Sequence, residues 1–253
     1  MRILLWAPYG AGSHYWGPGM SAFRLYKNQL GSDVQLFLAH GYDKQEIYSD
    51  VFTNQYYISN LSGNNLKAIR LLVFLIKSFF FIKKRCNEFD VVHCLSSYES
   101  SFRPALWMER RGLPVACKIT GASSTFESGG KISKLLGLGE RRKKTINDIS
   151  AYISISEEIT RMLIKEGALP DKIHAIPNGV DIDRFCQPES EEKIALRKKY
   201  GVSNVFTILF VGGISARKQP MMLAEMLNNC VQLQGMNIQV VMVGPDRSKN
   251  NEI

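Results

Sequence analysis

FTILFVGGISARKQP, Phe206 to Pro220, is the stretch on which the reading of the fold turns. A run of strand formers, Phe206 to Val211, ends in Gly212 and Gly213, and Arg217 and Lys218 follow where a helix is expected to begin. A strand that feeds a helix through glycines belongs to a βαβ architecture. With no side chains at Gly212 and Gly213, a phosphate can reach backbone N–H groups there. Arg217 then offers a planar fork and Lys218 a point charge, close to a helix start whose dipole favours anions. A diphosphate is the kind of ligand that uses all of this. Basic residues opening a surface helix are otherwise solvent-facing and mildly unfavourable against the dipole, and that placement argues for a ligand.

Outward from this point the same alternation recurs. Strands are expected at Ile3–Trp6, Val34–Leu38, Val91–Leu95, Val115–Ile119, Ala151–Ile155, His174–Ile176, Thr207–Val211 and Gln239–Val243. Between them lie helical segments at Gly19–Leu30, Leu66–Cys86, Ser100–Arg110, Glu157–Glu166, Glu191–Tyr200 and Met221–Leu233. Near-continuous apolar strands alternating with helices predict parallel sheets covered on both faces, a doubly wound α/β architecture. The turn-rich IPNGVDIDRFCQPESEEKI, after which a fresh strand and helix pattern starts near Thr207, marks a domain boundary. The expected division is 1–185 for a first Rossmann-like domain and 186–253 for the start of a second.

Composition sets the bounds. With 253 residues, 45% hydrophobic and 22% charged, the chain can bury real cores. Basic residues outnumber acidic ones by 32 to 23, a net charge of +9 that fits an anionic partner: nucleic acid, a membrane surface or a phosphorylated small molecule. The five cysteines are scattered and include no CxxC pair, which argues against a disulfide framework and a zinc site and for a reducing, cytoplasmic compartment. MRILLWAP reads as a first strand and not a signal peptide. The basic cluster RRKK, Arg141 to Lys144, reads as a solvated helix face. Nucleic acid is disfavoured because the basic clusters lack interleaved aromatic residues that would form a stacking platform.

In open α/β sheets ligands bind beyond the carboxyl ends of the strands. After the first strand comes PYGAGSHYWGPG, with Gly10 and Gly12 where backbone can approach a ligand or a facing domain. It is not the dinucleotide fingerprint: counted from Gly10, the last glycine position holds Tyr15. That spacing weakens a nicotinamide-dependent oxidoreductase. The segment LKAIRLLVFLIKSFFFIKKRC, Leu66 to Cys86, is too interrupted to span a bilayer. Two readings of it stay open: a helix covering the sheet with solvated basic ends, or a helix resting on anionic lipid.

ISISEEITRMLIKEGALPDKIHAIPNGVDIDRF, then ILFVGGISARKQP and VVMVGP, closely resemble in order and spacing the glycosyltransferase family 4 group. FDVVHCLSS and PVACKITGASS extend the resemblance over nearly the whole chain. It implies a GT-B fold, two Rossmann-like domains, and retaining transfer of a sugar from a nucleotide-sugar donor to an acceptor hydroxyl. By that resemblance Arg217 and Lys218, with Gly212 and Gly213, hold the donor diphosphate. Gly10 and Gly12 form the cleft loop, and Asn178 and Gly179 form the turn into the second domain, where both residue types tolerate a left-handed backbone. His93 matches a histidine near the donor sugar; its other reading is a strand-end histidine in a structural hydrogen bond. No metal ligands are expected and no cofactor, the nucleotide sugar being a substrate.

Three departures accompany the resemblance. Gly213 stands where many members carry Arg, so Arg217 has that work to do. His93, Cys94, Leu95 replaces a paired-histidine pattern. Beyond VMVGPDRSKNNEI the family continues for about one hundred residues that include paired glutamates, so the second domain is expected to be incomplete and marginal in core. The reading is a truncated GT-B transferase acting in polysaccharide or glycolipid assembly on a sugar or lipid-linked acceptor, cytoplasmic and peripheral at the inner membrane face. Its competitor is a non-catalytic Rossmann-like module that binds a phosphorylated ligand or a partner chain.

Overall fold

The computed structural model describes residues 1–12, 17–29, 31, 33–62, 66–121, 138–230 and 235–245. The expected helix ends at Leu30 and 231–233 and position Tyr15 lie outside the described residues. The chain divides into two compact units, Met1–Gly179 and the residues from Val180 onward, a few residues ahead of the expected boundary.

The first unit is built on β1 (Arg2–Trp6), β2 (Gln35–His40), β3 (Asn54–Tyr57), β4 (Val91–Leu95), β5 (Val115–Ile119), β6 (Ala151–Ser154) and β7 (Ile173–Ala175). They form one seven-stranded sheet in the order β3-β2-β1-β4-β5-β6-β7. Every pairing in it is parallel. The helices α1 (Gly17–Gln29), α2 (Lys67–Arg85), α3 (Glu99–Glu109), α4 (Leu138–Lys144) and α5 (Glu157–Lys165) connect these strands. From β1 the chain first builds β2 and β3 on one side and then returns to lay β4 on the other. That reversal between β1 and β4 is a topological switch point, where the loops leaving adjacent strands part and open a crevice.

Period-two alternation sorts the core to the two sheet faces. Leu4, Trp6, Val92, Cys94, Val115 and Cys117 pack with Phe74 and Ile82 of α2 and Phe102 and Leu106 of α3. Ile3, Leu5, Leu36, Leu38 and Leu95 pack with Ala22 and Phe23 of α1. The Trp6 indole N–H, buried among aromatic rings, donates to the Ser100 carbonyl at 3.0 Å. Without that acceptor the burial of an indole would leave a costly unpaired donor.

Glu109, at the end of α3, ties the helix to two strand starts. Its carboxylate accepts from the Val115 amide at 2.9 Å, the Ser150 amide at 2.6 Å and the Ser150 hydroxyl at 2.9 Å. Charge-assisted bonds to backbone donors are the stronger kind. Glu109→Ala is expected to lower the stability of the first unit by about 2 kcal/mol in urea titrations, with Glu109→Gln intermediate because it keeps one acceptor oxygen.

RRKK is not the wholly solvated face that composition implied. Arg142 is only 4% exposed and its guanidinium donates to the Ser97 carbonyl at 3.2 Å. Lys143 pairs with Glu166 at 3.1 Å. The second unit holds α6 (Ser190–Lys199), β8 (Phe206–Val211), α7 (Pro220–Asn229) and β9 (Ile238–Val243). β8 and β9 pair in parallel from Phe206 opposite Ile238 to Val211 opposite Val243. Pro220 alone among its described residues is buried.

Candidate functional site

The switch point collects the expected residues of the first unit. The backbone leaves β1 through Ala7 and turns at Gly10, whose amide donates to the Ala7 carbonyl at 2.8 Å. Gly10 has a φ of 87°, in the left-handed region where a side chain would be strained. Gln45 then fixes the next residue from both sides: its side chain accepts from the Ala11 amide at 3.0 Å and donates to the Ala11 carbonyl at 2.7 Å. Gly12 follows directly, buried. In α1, a Cβ at Gly19 would overlap the Gly10 carbonyl oxygen, so helix and loop meet backbone to backbone. Gly19 is therefore part of the same construction.

Two residues further on, the Ser21 hydroxyl donates to Asn178 at 3.1 Å. Neither Asn178 nor Gly179 has a positive φ, so the left-handed turn expected there is not what these residues provide. Asn178 instead attaches the end of the first unit to α1 through its side chain.

His93 lies opposite Leu5 on β4, beside the switch point, and is 7% exposed. Its Nδ1 is 2.8 Å from the Tyr26 hydroxyl of α1, and the two rings meet edge-on. The Nε2 is buried with no hydrogen-bond partner among the described residues. When Tyr26 donates, the ring proton sits on Nε2 and His93 presents a neutral N–H donor. Burial, with the Lys118 ammonium nearby, pulls His93 down to about 4. Burial also raises Tyr26 and lowers Lys118. Lys118 lies opposite Leu95 on β5 and is 7% exposed.

The residue that closes β4 is strained. Ser96 has a φ of 73°, and its amide donates to the Lys118 carbonyl at 2.9 Å. Its carbonyl accepts from the Cys117 thiol at 3.4 Å. Residues held in such conformations concentrate where a loop must present groups to a ligand. Sequence reasoning missed Tyr26, Gln45 and Lys118. Lys118 had a signal: it is the one charge in the otherwise apolar strand VACKI. Tyr26 and Gln45 had none, because only the sheet order brings them to His93 and Ala11.

The second unit carries the other cluster. After β8 the Gly212 amide donates to the Val243 carbonyl at 2.9 Å and the Ile214 amide to the Pro245 carbonyl at 3.0 Å. The Gly213 amide between them has no backbone acceptor among the described residues. A Cβ at Gly244 would overlap the Gly212 carbonyl, so the two strand ends approach as closely as backbone allows. Arg217 and Lys218 lie in a short 3-10 turn, Ala216–Lys218, and not in the helix itself. Gln219 then takes a φ of 50° and α7 starts at Pro220, a residue suited to the first helical position. The Lys218 amide donates to the Ser215 carbonyl at 2.9 Å and its side chain is exposed; the side chain of Arg217 lies outside the described residues. Backbone groups at a bared strand end, with a cation in the following turn, can hold a phosphate.

No cluster of His, Cys, Asp and Glu that could hold a metal ion occurs among the described residues. No helix among them is long and apolar enough to cross a membrane.

The family model for Glycosyltransferase Family 4 matches residues 20–184. No curated protein sequence matches the chain. Among solved structures, the crystal structure of Anabaena HepE in complex with UDP superposes with a TM-score of 0.68 at 14% identity, over 100% of this chain and 62% of that one. The apo lipopolysaccharide outer core galactosyltransferase WaaB gives a TM-score of 0.56 at 16% identity, over 98% of this chain and 62% of that one. Sucrose-phosphate synthase from Thermosynechococcus elongatus gives 0.58 at 10% identity, over 96% and 70%. These likenesses establish a GT-B type α/β fold, and the chain spans 62% of the length of HepE and WaaB.

Proposed function

Because the chain belongs to glycosyltransferase family 4, we propose that it serves transfer of a sugar from a nucleotide-sugar donor to an acceptor hydroxyl, with retention of configuration. The acceptor is a sugar or lipid-linked sugar, and the work is polysaccharide or glycolipid assembly in the cytoplasm, peripheral at the inner membrane face. The donor is a substrate, and no resident cofactor takes part.

The observation that carries this reading is the β8 strand end. The Gly212 amide, expected to face a phosphate, is taken by Val243, but the Gly213 amide has no backbone acceptor among the described residues, Gly244 closes tightly behind Gly212, and Lys218 follows in the next turn. Departure of a nucleoside diphosphate builds negative charge on the leaving oxygen, and cations fixed beside it stabilise the transition state more than the ground state. Arg217 and Lys218 are assigned that role. HepE, solved in complex with UDP and with UDP-glucose, supports a uridine diphosphate as the donor carrier. In the first unit, His93 stays neutral at physiological pH with a buried Nε2 proton, and Lys118 adds positive charge on the same side of the sheet.

Calorimetric titration of the chain with UDP and GDP tests the reading. Binding is expected, and Arg217→Ala with Lys218→Ala together is expected to weaken it at least about 100-fold, the loss of two charge-assisted phosphate contacts. Unchanged affinity in the double variant would sink the diphosphate assignment.

A further inference from the structure

Most surface helices turn apolar residues to the core and polar ones to water. The helix α2 carries apolar residues on both its inward and its outward face. Its inward residues are Phe74, Ser78 and Ile82, one turn apart, so a serine occupies the middle of the buried stripe. Its outward face carries Ile69, Leu72, Val73, Ile76, Phe79 and Phe80, with Leu72 58%, Ile76 49% and Phe80 62% exposed. The spacing of Ile69, Leu72, Val73, Ile76 and Phe80 places them in a single stripe along the helix. A continuous apolar stripe of this length on a protein surface marks something that covers it.

The charges beside the stripe identify the cover. Lys77 and Lys84 follow Val73 and Phe80 by one turn each and line one edge. On the other edge the Arg111 guanidinium lies 5.5 Å from the Phe79 ring. There is no acidic residue in α2, and the nearby Glu88 is taken by Arg85 at 2.9 Å. A second copy laid face to face on α2 would bring like charges together along both edges. An anionic lipid surface meets both requirements at once, accepting the apolar stripe below its headgroups and the cations among them.

We propose that the outward face of α2 inserts into the interfacial layer of an anionic bilayer, the helix lying in the plane of the membrane. At 19 residues it lays about 28 Å of helix along the surface. This deepens the reading of a membrane-face transferase by naming the surface that docks, and it stands on exposure and charge, independent of donor binding.

Flotation with phosphatidylglycerol vesicles, against phosphatidylcholine vesicles, decides it. The wild-type chain is expected to float with the anionic vesicles and to stay in the dense fractions with the neutral ones. Ile76→Glu with Phe80→Glu, both at exposed sites, is expected to cut the floated fraction at least about tenfold at unchanged circular dichroism, since a carboxylate is poorly accommodated in the interface. Lys77→Glu with Lys84→Glu should abolish the preference for anionic vesicles. Wild-type protein that fails to float, or glutamate variants that float undiminished, overturns the proposal. So does sedimentation showing a dimer that Ile76→Glu dissociates, for then a second copy is the occupant. The vesicles contain no nucleotide, so failed UDP binding with intact flotation counts against the transferase reading alone, and the converse against docking alone.

Discussion

Gly19→Ala is expected to cost the first unit at least about 3 kcal/mol, although alanine is ordinarily the better helix residue by about 1 kcal/mol. The reason is the meeting of α1 with the loop after β1. The added methyl would overlap the Gly10 carbonyl oxygen, with the Gly10 carbonyl carbon 3.1 Å and the Ala11 Cα 3.2 Å away. All of these are backbone atoms and cannot swing aside. The loop cannot retreat either, because Gly10 is bonded to Ala7 and Ala11 is clamped on both sides by Gln45. The helix must therefore move outward, lifting Ala22 and Phe23 from the core and Tyr26 from His93. Gly17→Ala is the matched control, since no atom of the described residues lies within 4 Å of a Cβ there, and it should be neutral or slightly stabilising. Trp6, Trp16 and Trp107 all fall within the first unit, so tryptophan fluorescence in urea follows that unit alone. Equal midpoints for the two variants would show that the loop yields and that the close approach is not a constraint.

The same contact shows what sequence could and could not reveal. Gly10 and Gly12 were visible as a glycine loop, but that Gly19 exists to admit the Gly10 carbonyl follows only from how α1 crosses β1. Eight strands were legible because each is an apolar run bounded by turn residues. β3, Asn54–Tyr57, was not, because NQYY is a half-exposed edge strand with no apolar run. α4 was illegible for a related reason: LGERRKK has no apolar period, and one arginine turned inward to the Ser97 carbonyl looks like its neighbours in sequence. The length of α2 was readable, but its orientation was not, since apolar residues line both sides and a serine interrupts the buried one. At β8 the strand and its glycines were clear. Arg217 and Lys218 fall in a separate 3-10 turn ahead of the helix because Gln219 takes a left-handed conformation that no residue preference announces. His93 was marked by resemblance, while Tyr26 and Lys118 reach it through register and helix packing.

The two buried histidines should make the first unit acid-sensitive well above the carboxylate range. His93 and His40 are both held near 4 by burial, against about 6.5 when unfolded. Lys118 adds to the effect at His93, whereas the bond from His40 to the Tyr42 carbonyl partly opposes it. A folded value below the unfolded one means that the unfolded chain binds protons first. Stability is therefore full above about pH 6.5 and falls as pH drops toward 4. At pH 5 the loss is about 2 kcal/mol for each histidine, so about 4 kcal/mol if both act. Asp43 and Asp90, exposed and held below their usual value by Ser62 and Arg2, lose their pairing only at lower pH and leave this window to the histidines. Urea midpoints by tryptophan fluorescence at pH 7.5 and pH 5 should separate clearly in the wild-type chain, and His93→Gln should remove about half of the separation. A midpoint insensitive to pH over that interval would mean that His93 and His40 titrate in the folded chain as they do in the unfolded one, near 6.5. His93 would then owe its neutral form at physiological pH to its ordinary value and not to burial beside Lys118.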